Sequence, residues 1–297
     1  MHIKKSIGSH VFDACNIAFM LVLMAIMLYP LLHVLALSMS SPDAIIAGKV
    51  SIWPTGLNIR GYYAISSYPN MLQSYFNTIC YAAAGTGLTL SLTSLIAYPL
   101  SIKDFVFKKL FTIMLAVTMY FGGGLIPTYL IIRRFGLINT FAVMVLPFCV
   151  SAYTVMVFRT FFAQLPVELR ESAYIDGAND VRILFQIILP LSKPLLATFA
   201  LFAVVGHWNG WFNAMLYLND EWRMPLQILL RRVLIRAEVL DNFDSGGGLA
   251  TQIAAGSINP KNIQMAITVV TMAPILAVYP FVQRYFVKGM LVGTIKG

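Results

Sequence analysis

Charge is scarce in this chain. Only 11% of its 297 residues are Asp, Glu, Lys or Arg and 59% are hydrophobic, where a soluble domain carries about 25% and about 45–50%. So few charges cannot cover a water-soluble surface of this size. That excludes an ordinary cytosolic enzyme, a disordered chain and a nucleic-acid binder. Acidic residues are the scarcer sign, 12 against 21 basic, for a net charge of +9. Cysteine is nearly absent: Cys15, Cys80 and Cys149 all fall in apolar runs and are expected as small buried hydrophobes, not as a disulfide framework or metal set. The four histidines, His2, His10, His33 and His207, are too scattered to form a metal site. Catalytic patterns are missing as well: no H-E-x-x-H, no G-x-S-x-G, no paired-cysteine motif. A phosphate-binding G-x-x-x-x-G-K-[ST] loop is also lacking, since Gly48-Lys49 is followed by Val50.

What the chain has in quantity is apolar length. A helix needs about 20 predominantly apolar residues to cross the hydrocarbon core, and six stretches qualify: 12–38, 75–100, 110–132, 141–163, 194–217 and 265–287. All are expected as helices, because backbone groups in lipid must be satisfied within their own segment. The fold class is an all-α polytopic membrane protein, one domain over 1–297. Lys4 and Lys5 precede the first stretch as they would in a signal peptide, but its apolar run far exceeds the core of such a peptide and reads as an uncleaved span. Placing the N-terminus inside puts Lys4, Lys5, Lys103, Lys108, Lys109, Arg170, Arg182 and Lys193 on the cytoplasmic face, in keeping with the positive-inside rule. Both termini are then cytoplasmic, 164–193 is a cytoplasmic loop and 218–264 a long outer loop.

The spans hold no acidic residue at mid-depth; His33 and His207 are the ionisable groups there. Ion-coupled carriers commonly place carboxylates at that depth, so their absence moves the energy source onto a partner subunit. Two polar stretches stand out. In the fifth span, Trp208, Asn209, Trp211 and Asn213 combine amides, which satisfy sugar hydroxyls in both senses, with indole faces, which stack on sugar rings. Helix–helix glue and an interfacial aromatic belt compete with that reading. In the third span, Tyr120 precedes Phe121 and three glycines, with Pro127 beyond, a pattern that breaks or kinks a helix. It suits either a cavity lining or close helix packing.

The cytoplasmic loop is the most specific segment. Pro166 suits a helix start, Glu168 and Glu171 its positive end, and Gly177 a left-handed stop. Asn179 or Asp180 can cap a second helix running to the residue before Pro190. Glu171, Ser172, Ala173, Gly177, Leu189 and Pro190 match, type and spacing, the "EAA" loop of importer-type ABC transporter permeases, with Ser172 in place of the first alanine. The chain resembles the carbohydrate-uptake branch of that family over nearly its whole length, through 122–130, 188–202, 206–215 and 283–297 as well as this loop. The resemblance implies a type I importer permease in a bacterial cytoplasmic membrane, forming half of an oligosaccharide pathway. It implies a coupling helix with Glu171, Ser172, Ala173, Asp176, Gly177 and Ala178 at the ATPase contact. Its partners are a second homologous permease, two ATPases that use ATP and Mg, and an extracytoplasmic binding protein; this chain itself holds no cofactor and no metal.

In the outer loop, 225–240 is apolar with Arg231, Arg232 and Arg236 on one arc, the pattern of an interfacial helix. Asp244, Gly246, Gly247 and Gly248 form the tip that the resemblance would send into the binding protein. The arginines suit acidic sugars or lipid headgroups equally. A permease for a non-sugar solute shares the cytoplasmic loop and is the alternative; a secondary carrier is disfavoured by the missing carboxylates.

Overall fold

Every regular element among the described residues of the computed structural model, 7–242 and 259–294, is helical, as backbone in hydrocarbon requires. In chain order these are α1 (Ile7–Ser38), α2 (Pro42–Ile46), α3 (Arg60–Ser66), α4 (Met71–Ser101), α5 (Lys108–Tyr120), α6 (Leu125–Arg134), α7 (Ala152–Ala163), α8 (Glu168–Ile175), α9 (Asp180–Ile183), α10 (Leu189–Leu191), α11 (Lys193–Trp208), α12 (Trp211–Tyr217), α13 (Leu226–Asn242) and α14 (Pro260–Thr294). They form two compact units, one from Met1–Pro69 and Leu230–Ala273, the other from Asn70–Leu229 and Pro274–Gly297.

Three stretches, Gly8–Ser38, Met71–Ser101 and Pro260–Pro280, are each long and apolar enough to cross a membrane, and two further candidates are bent pairs. The 110–132 stretch is interrupted: α5 and α6 meet at 118°, and Gly124 at φ 78 makes the turn. The expected 141–163 span differs most, being helical only over the 12 residues of α7 after a short turn at Ala142–Met144. Pro147 explains this, since it lacks an N–H and its ring would meet the Val143 carbonyl in a continuous helix. The 194–217 stretch is α11 and α12, parted at Asn209 and Gly210.

In the first unit, most of α1 exposes its apolar side chains. Its C-terminal end is held by one buried amide. Asn262 Nδ2 donates to the carbonyls of Leu37 and Ser38 at 3.0 Å each and of Ser40 at 3.3 Å, satisfying acceptors that a helix end leaves orphaned. Gly61 leaves the room for Asn262, whose Oδ1 would collide with a Cβ there.

The second unit is organised by α4, which packs on α11 and α7. Its contact face is small: Ser74, Thr78, Ala82, Gly85, Thr93, Ala97 and Ser101 are all buried. Small residues let helix axes approach where the hydrophobic effect gives no drive between apolar faces. Hydroxyls on this face fold back on the helix, with Thr78 Oγ1 bonding the Ser74 carbonyl at 2.8 Å and Ser94 Oγ that of Leu90 at 2.7 Å. At Gly85 the His207 imidazole of α11 fills the place of a side chain. Of the cysteines, all free, Cys149 is buried and Cys80 half-buried, but Cys15 is exposed on α1; the expectation of three buried thiols fails there because that face of α1 has no protein neighbour in its unit.

A side chain at position 85 must push α11 away. Gly85→Val is expected to destabilise the subunit by about 1–3 kcal/mol, the usual range for overpacking, read as a lower Tm of the detergent-purified protein. An unchanged Tm would mean the crossing is loose.

Candidate functional site

The loop between α7 and α11 folds as its sequence dictates. α8 places Glu168 and Glu171 in its first turn, where the helix dipole favours acids. It ends in a Schellman turn: Gly177 takes φ 78, its N–H bonds the Tyr174 carbonyl at 3.0 Å, and the Ala178 N–H bonds the Ala173 carbonyl at 2.9 Å. That motif wants an apolar contact between its first and last residues. Ala173 is buried and Ala178 packs against the same cluster. The spacing from Ala173 through Gly177 to Ala178 is thus the spacing of one helix stop.

Asn179, not Asp180, caps the next helix, its Oδ1 accepting from the Arg182 N–H at 2.8 Å. That helix does not stop before Pro190 as expected. α9 widens into a π-helical turn at Leu184–Ile188 and continues through α10, ending at Ser192. Gln186, whose carbonyl a proline at 190 would strike in a regular α-helix, sits inside the wide turn, where the ladder is already displaced. After Ser192 the path bends by 84° into α11.

The inner side of the loop is sealed. Ala173, Ile183, Leu184 and Ile188 share one buried cluster with Ala97, Tyr98 and Leu100 of α4 and Val155, Phe158 and Phe162 of α7. Asp180 adds a polar clasp: its Oδ1 accepts from Tyr98 Oη at 3.1 Å and from Tyr174 Oη at 2.5 Å. The hydrogen bond to that carboxylate, and then partial burial, raise the Tyr174 hydroxyl above its ordinary pKa. The outer side is open. Glu171, Ser172, Asp176 and Gly177 are exposed, and beside them Ile175 is 87% exposed, with Val181 and Phe185 also exposed. Acids flanking an open apolar strip make a face suited to another protein. The six residues singled out in the sequence therefore split, with Ala173 and Ala178 building the turn and the other four facing out. Tyr98 and Tyr174 were not legible as functional, because a span tyrosine and a loop tyrosine carry no spacing that pairs them with Asp180.

The fifth-span residues are not brought together. Trp208 is buried, edge-on to Tyr75 at 6.2 Å, in an apolar cavity of about 400 Å³ that it lines with Ile79, Ala82, Val204 and Pro274. Asn209 and Asn213 do not share one helix, since the chain breaks between them; Asn209 Oδ1 accepts from Gln227 Nε2 at 3.2 Å. Trp211 stands edge-on to Phe212 at 5.7 Å. Tyr120 is exposed at the α5 end beside the glycine break. The 225–240 helix exists as α13, but its face of Leu226, Leu230 and Val233 is buried in protein, with Arg231 and Arg232 exposed; a face expected against the membrane interface is covered. Asp244, Gly246, Gly247 and Gly248 lie outside the described residues. Arg223 and Asn139 form a knot that sequence reasoning missed: Arg223 Nη1 donates to the Asn139 carbonyl, and Asn139 Oδ1 accepts from the Asn219 and Asp220 N–H groups at 3.1 Å each.

The model of the family described as "Binding-protein-dependent transport system inner membrane component" matches residues 6–292. Protein LplC of Bacillus subtilis is 38% identical over 297 residues, 100% of this chain and 98% of that protein. The polygalacturonan/rhamnogalacturonan transport system permease protein YtcP of the same species is 36% identical, over 97% of this chain and 99% of that one. Among solved structures, a chain of a bacterial ABC transporter involved in the import of the acidic polysaccharide alginate superposes with a TM-score of 0.84 at 30% identity, covering 96% of this chain and 99% of that chain.

The clasp at Asp180 is open to a double-mutant cycle. Tyr98→Phe and Asp180→Ala, singly and together, are expected to be non-additive by about 1.5–3 kcal/mol in thermal unfolding, the scale of one hydrogen bond to a charged group. Strict additivity would show that the two groups do not act together.

Proposed function

Because the chain belongs to the family of binding-protein-dependent transport system inner membrane components, we propose that it forms half of the translocation pathway of an ATP-driven oligosaccharide importer. It is a multi-pass protein of the bacterial cytoplasmic membrane, and its cargo is an acidic, uronate-containing oligosaccharide. The cargo reading draws on YtcP, named for polygalacturonan and rhamnogalacturonan, and on the alginate importer. A second permease completes the pathway, two cytoplasmic ATPases supply the energy, and an external binding protein delivers the sugar. Six crossings with both termini inside fit this role, with α5–α6 as a bent crossing, α11 and α12 as one crossing parted at Asn209–Gly210, and 141–163 completed by the non-helical 145–151.

The observation that carries the reading is the two-sidedness of 168–191. Its inner side is fixed to α4 and α7 by packing and by the Asp180 clasp; its outer side offers Glu171, Ser172, Asp176 and the exposed Ile175. An ATPase that grips the outer side moves α4 and α7 with it, because close-packed interiors transmit displacement and do not absorb it. The breaks at Phe121–Gly124 and at Asn209–Gly210 are where the spans can bend to alternate access. Tyr120, Trp211 and Asn213 are the proposed pathway groups; Asp244 and Gly246–Gly248 are the proposed binding-protein contact.

Two measurements test this. Glu171→Ala and Ile175→Asp are expected to abolish most uptake while the subunit remains in the membrane at its normal level; uptake within twofold of wild type, by about the precision of such assays, would remove the docking assignment. In the reconstituted importer, binding protein loaded with uronate oligosaccharides is expected to stimulate ATP hydrolysis and neutral analogues are not. Stimulation by the neutral set alone would overturn the acidic cargo.

A further inference from the structure

A cavity of about 460 Å³ opens where α5 begins, lined by Phe105, Val106, Thr112, Ile113 and three cations, Lys108, Lys109 and Arg159. It lies within the second unit, where α5 packs on α7. Three positive groups around one space repel each other unless something negative joins them. None of the three forms an ion pair among the described residues. Lys108 Nζ donates to the Ile102 carbonyl at 3.0 Å, and half-buried Arg159 reaches only the Met156 sulfur, at 3.8 Å. A guanidinium has five donors and thioether sulfur is a weak acceptor, so most of its capacity is turned to the cavity.

The remaining lining is apolar and turned outward. Lys109, Ile113 and Val117 follow one another at i, i+4 and i+8 on one face of α5, with Ile113 and Val117 half exposed and no residue of the helix buried. Val106 at the cavity mouth is 86% exposed. Cations at one end of an apolar strip match a ligand with a phosphate at one end and hydrocarbon behind it. A soluble anion has no use for the strip, and α5 belongs to a bent pair apolar enough to cross a membrane, where hydrocarbon is the neighbour its exposed aliphatic groups meet.

We propose that this cavity binds an anionic phospholipid, with the phosphate between Lys109 and Arg159 and an acyl chain along Ile113 and Val117. Phe105 and Ile102 pack against the cluster that buries Ala173 and Ile183, so the bound lipid braces α5 and α7 beside the root of the 168–191 loop. The proposal rests on the proposed function only in that the chain crosses a bilayer, and its test reads lipid, not transport.

The assembled importer, purified in detergent, is titrated with phosphatidylglycerol or phosphatidylcholine, and bound lipid is counted by native mass spectrometry, which separates the assembled complex from free subunits by mass. Wild type is expected to prefer phosphatidylglycerol. Lys109→Gln with Arg159→Gln should weaken that lipid by roughly tenfold or more, the scale of two interfacial charges, and leave phosphatidylcholine unchanged. Arg159→Lys and the neighbouring Lys103→Gln should behave as wild type. If the double variant fails to assemble, Lys109→Gln alone, a change of an exposed side chain, must show the same direction. Equal phosphatidylglycerol binding by wild type and variant, or no preference in wild type, overturns the site. Displacement of the lipid by millimolar inorganic phosphate would make it a free-anion site and overturns the lipid.

Discussion

A chain in hydrocarbon must hydrogen-bond its own backbone, and any place where it does not must be compensated by protein or by water. The architecture follows from how this protein meets and breaks that demand. α1, α4 and the apolar part of α14 meet it as long helices, each carried on past an internal proline, Pro30, Pro99 and Pro274. The interruptions sit at a run of glycines after Phe121, at Pro147 and at Asn209–Gly210. Each has a chemical cause: no Cβ at Gly122–Gly124 and at Gly210, and no N–H at Pro147. The orphaned ends are then collected by specific polar groups, as Asn262 collects the carbonyls at the end of α1 and Asn139 the amides after Tyr217. The amides sit at breaks because breaks leave backbone groups to satisfy, while the buried hydroxyls of Thr78 and Ser94 on α4 bond back to their own helix.

The loop between α7 and α11 shows the same economy. One Schellman turn fixes the distance between Ala173 and Ala178, puts both small residues inward, and leaves Glu171, Ser172 and Asp176 outward. Asp180 accepts from one tyrosine on the loop and one on α4, so it joins the loop to the nearest span by a polar contact, while Ile183, Leu184 and Ile188 do so by packing. A helix held in this way is a handle. Force applied to its outer face has few soft degrees of freedom to dissipate into before it reaches α4 and α7.

Much of this was legible in the sequence. Hydropathy located the helices, and the loop's start, glycine stop and second helix followed from Pro166, Gly177 and Asn179. Local chemistry decides those features, so a local reading finds them. What hydropathy could not supply was continuity: 141–163 and 194–217 are apolar enough to span yet are broken by Pro147 and by Gly210. The same blindness affected Asn209 and Asn213, whose shared face presumed an unbroken helix. Contacts made by tertiary folding left no periodic trace either. The small face of α4, the Gly85–His207 crossing, the pairing of Tyr98 with Asp180 and the burial of α13 depend on which helix lies alongside. Asp244 and its glycines lie beyond the described residues.

The wide turn at Leu184–Ile188 carries a consequence of its own. A residue added to or taken from a helix rotates everything beyond it by about 100° and shifts it by about 1.5 Å. The turn holds one residue more than a regular helical turn, and it lies between the outward face of α8 and the start of α11. The angle at which that face is presented is therefore counted out in residues as well as shaped by side chains. Substitutions along 184–188 keep the count; a single-residue deletion there would turn the acidic edge by more than a quarter of a circle. The segment is thus strict in length at every position and strict in residue type at Leu184 and Ile188, whose side chains are buried, the behaviour of a gear tooth whose outer material can vary but whose pitch cannot.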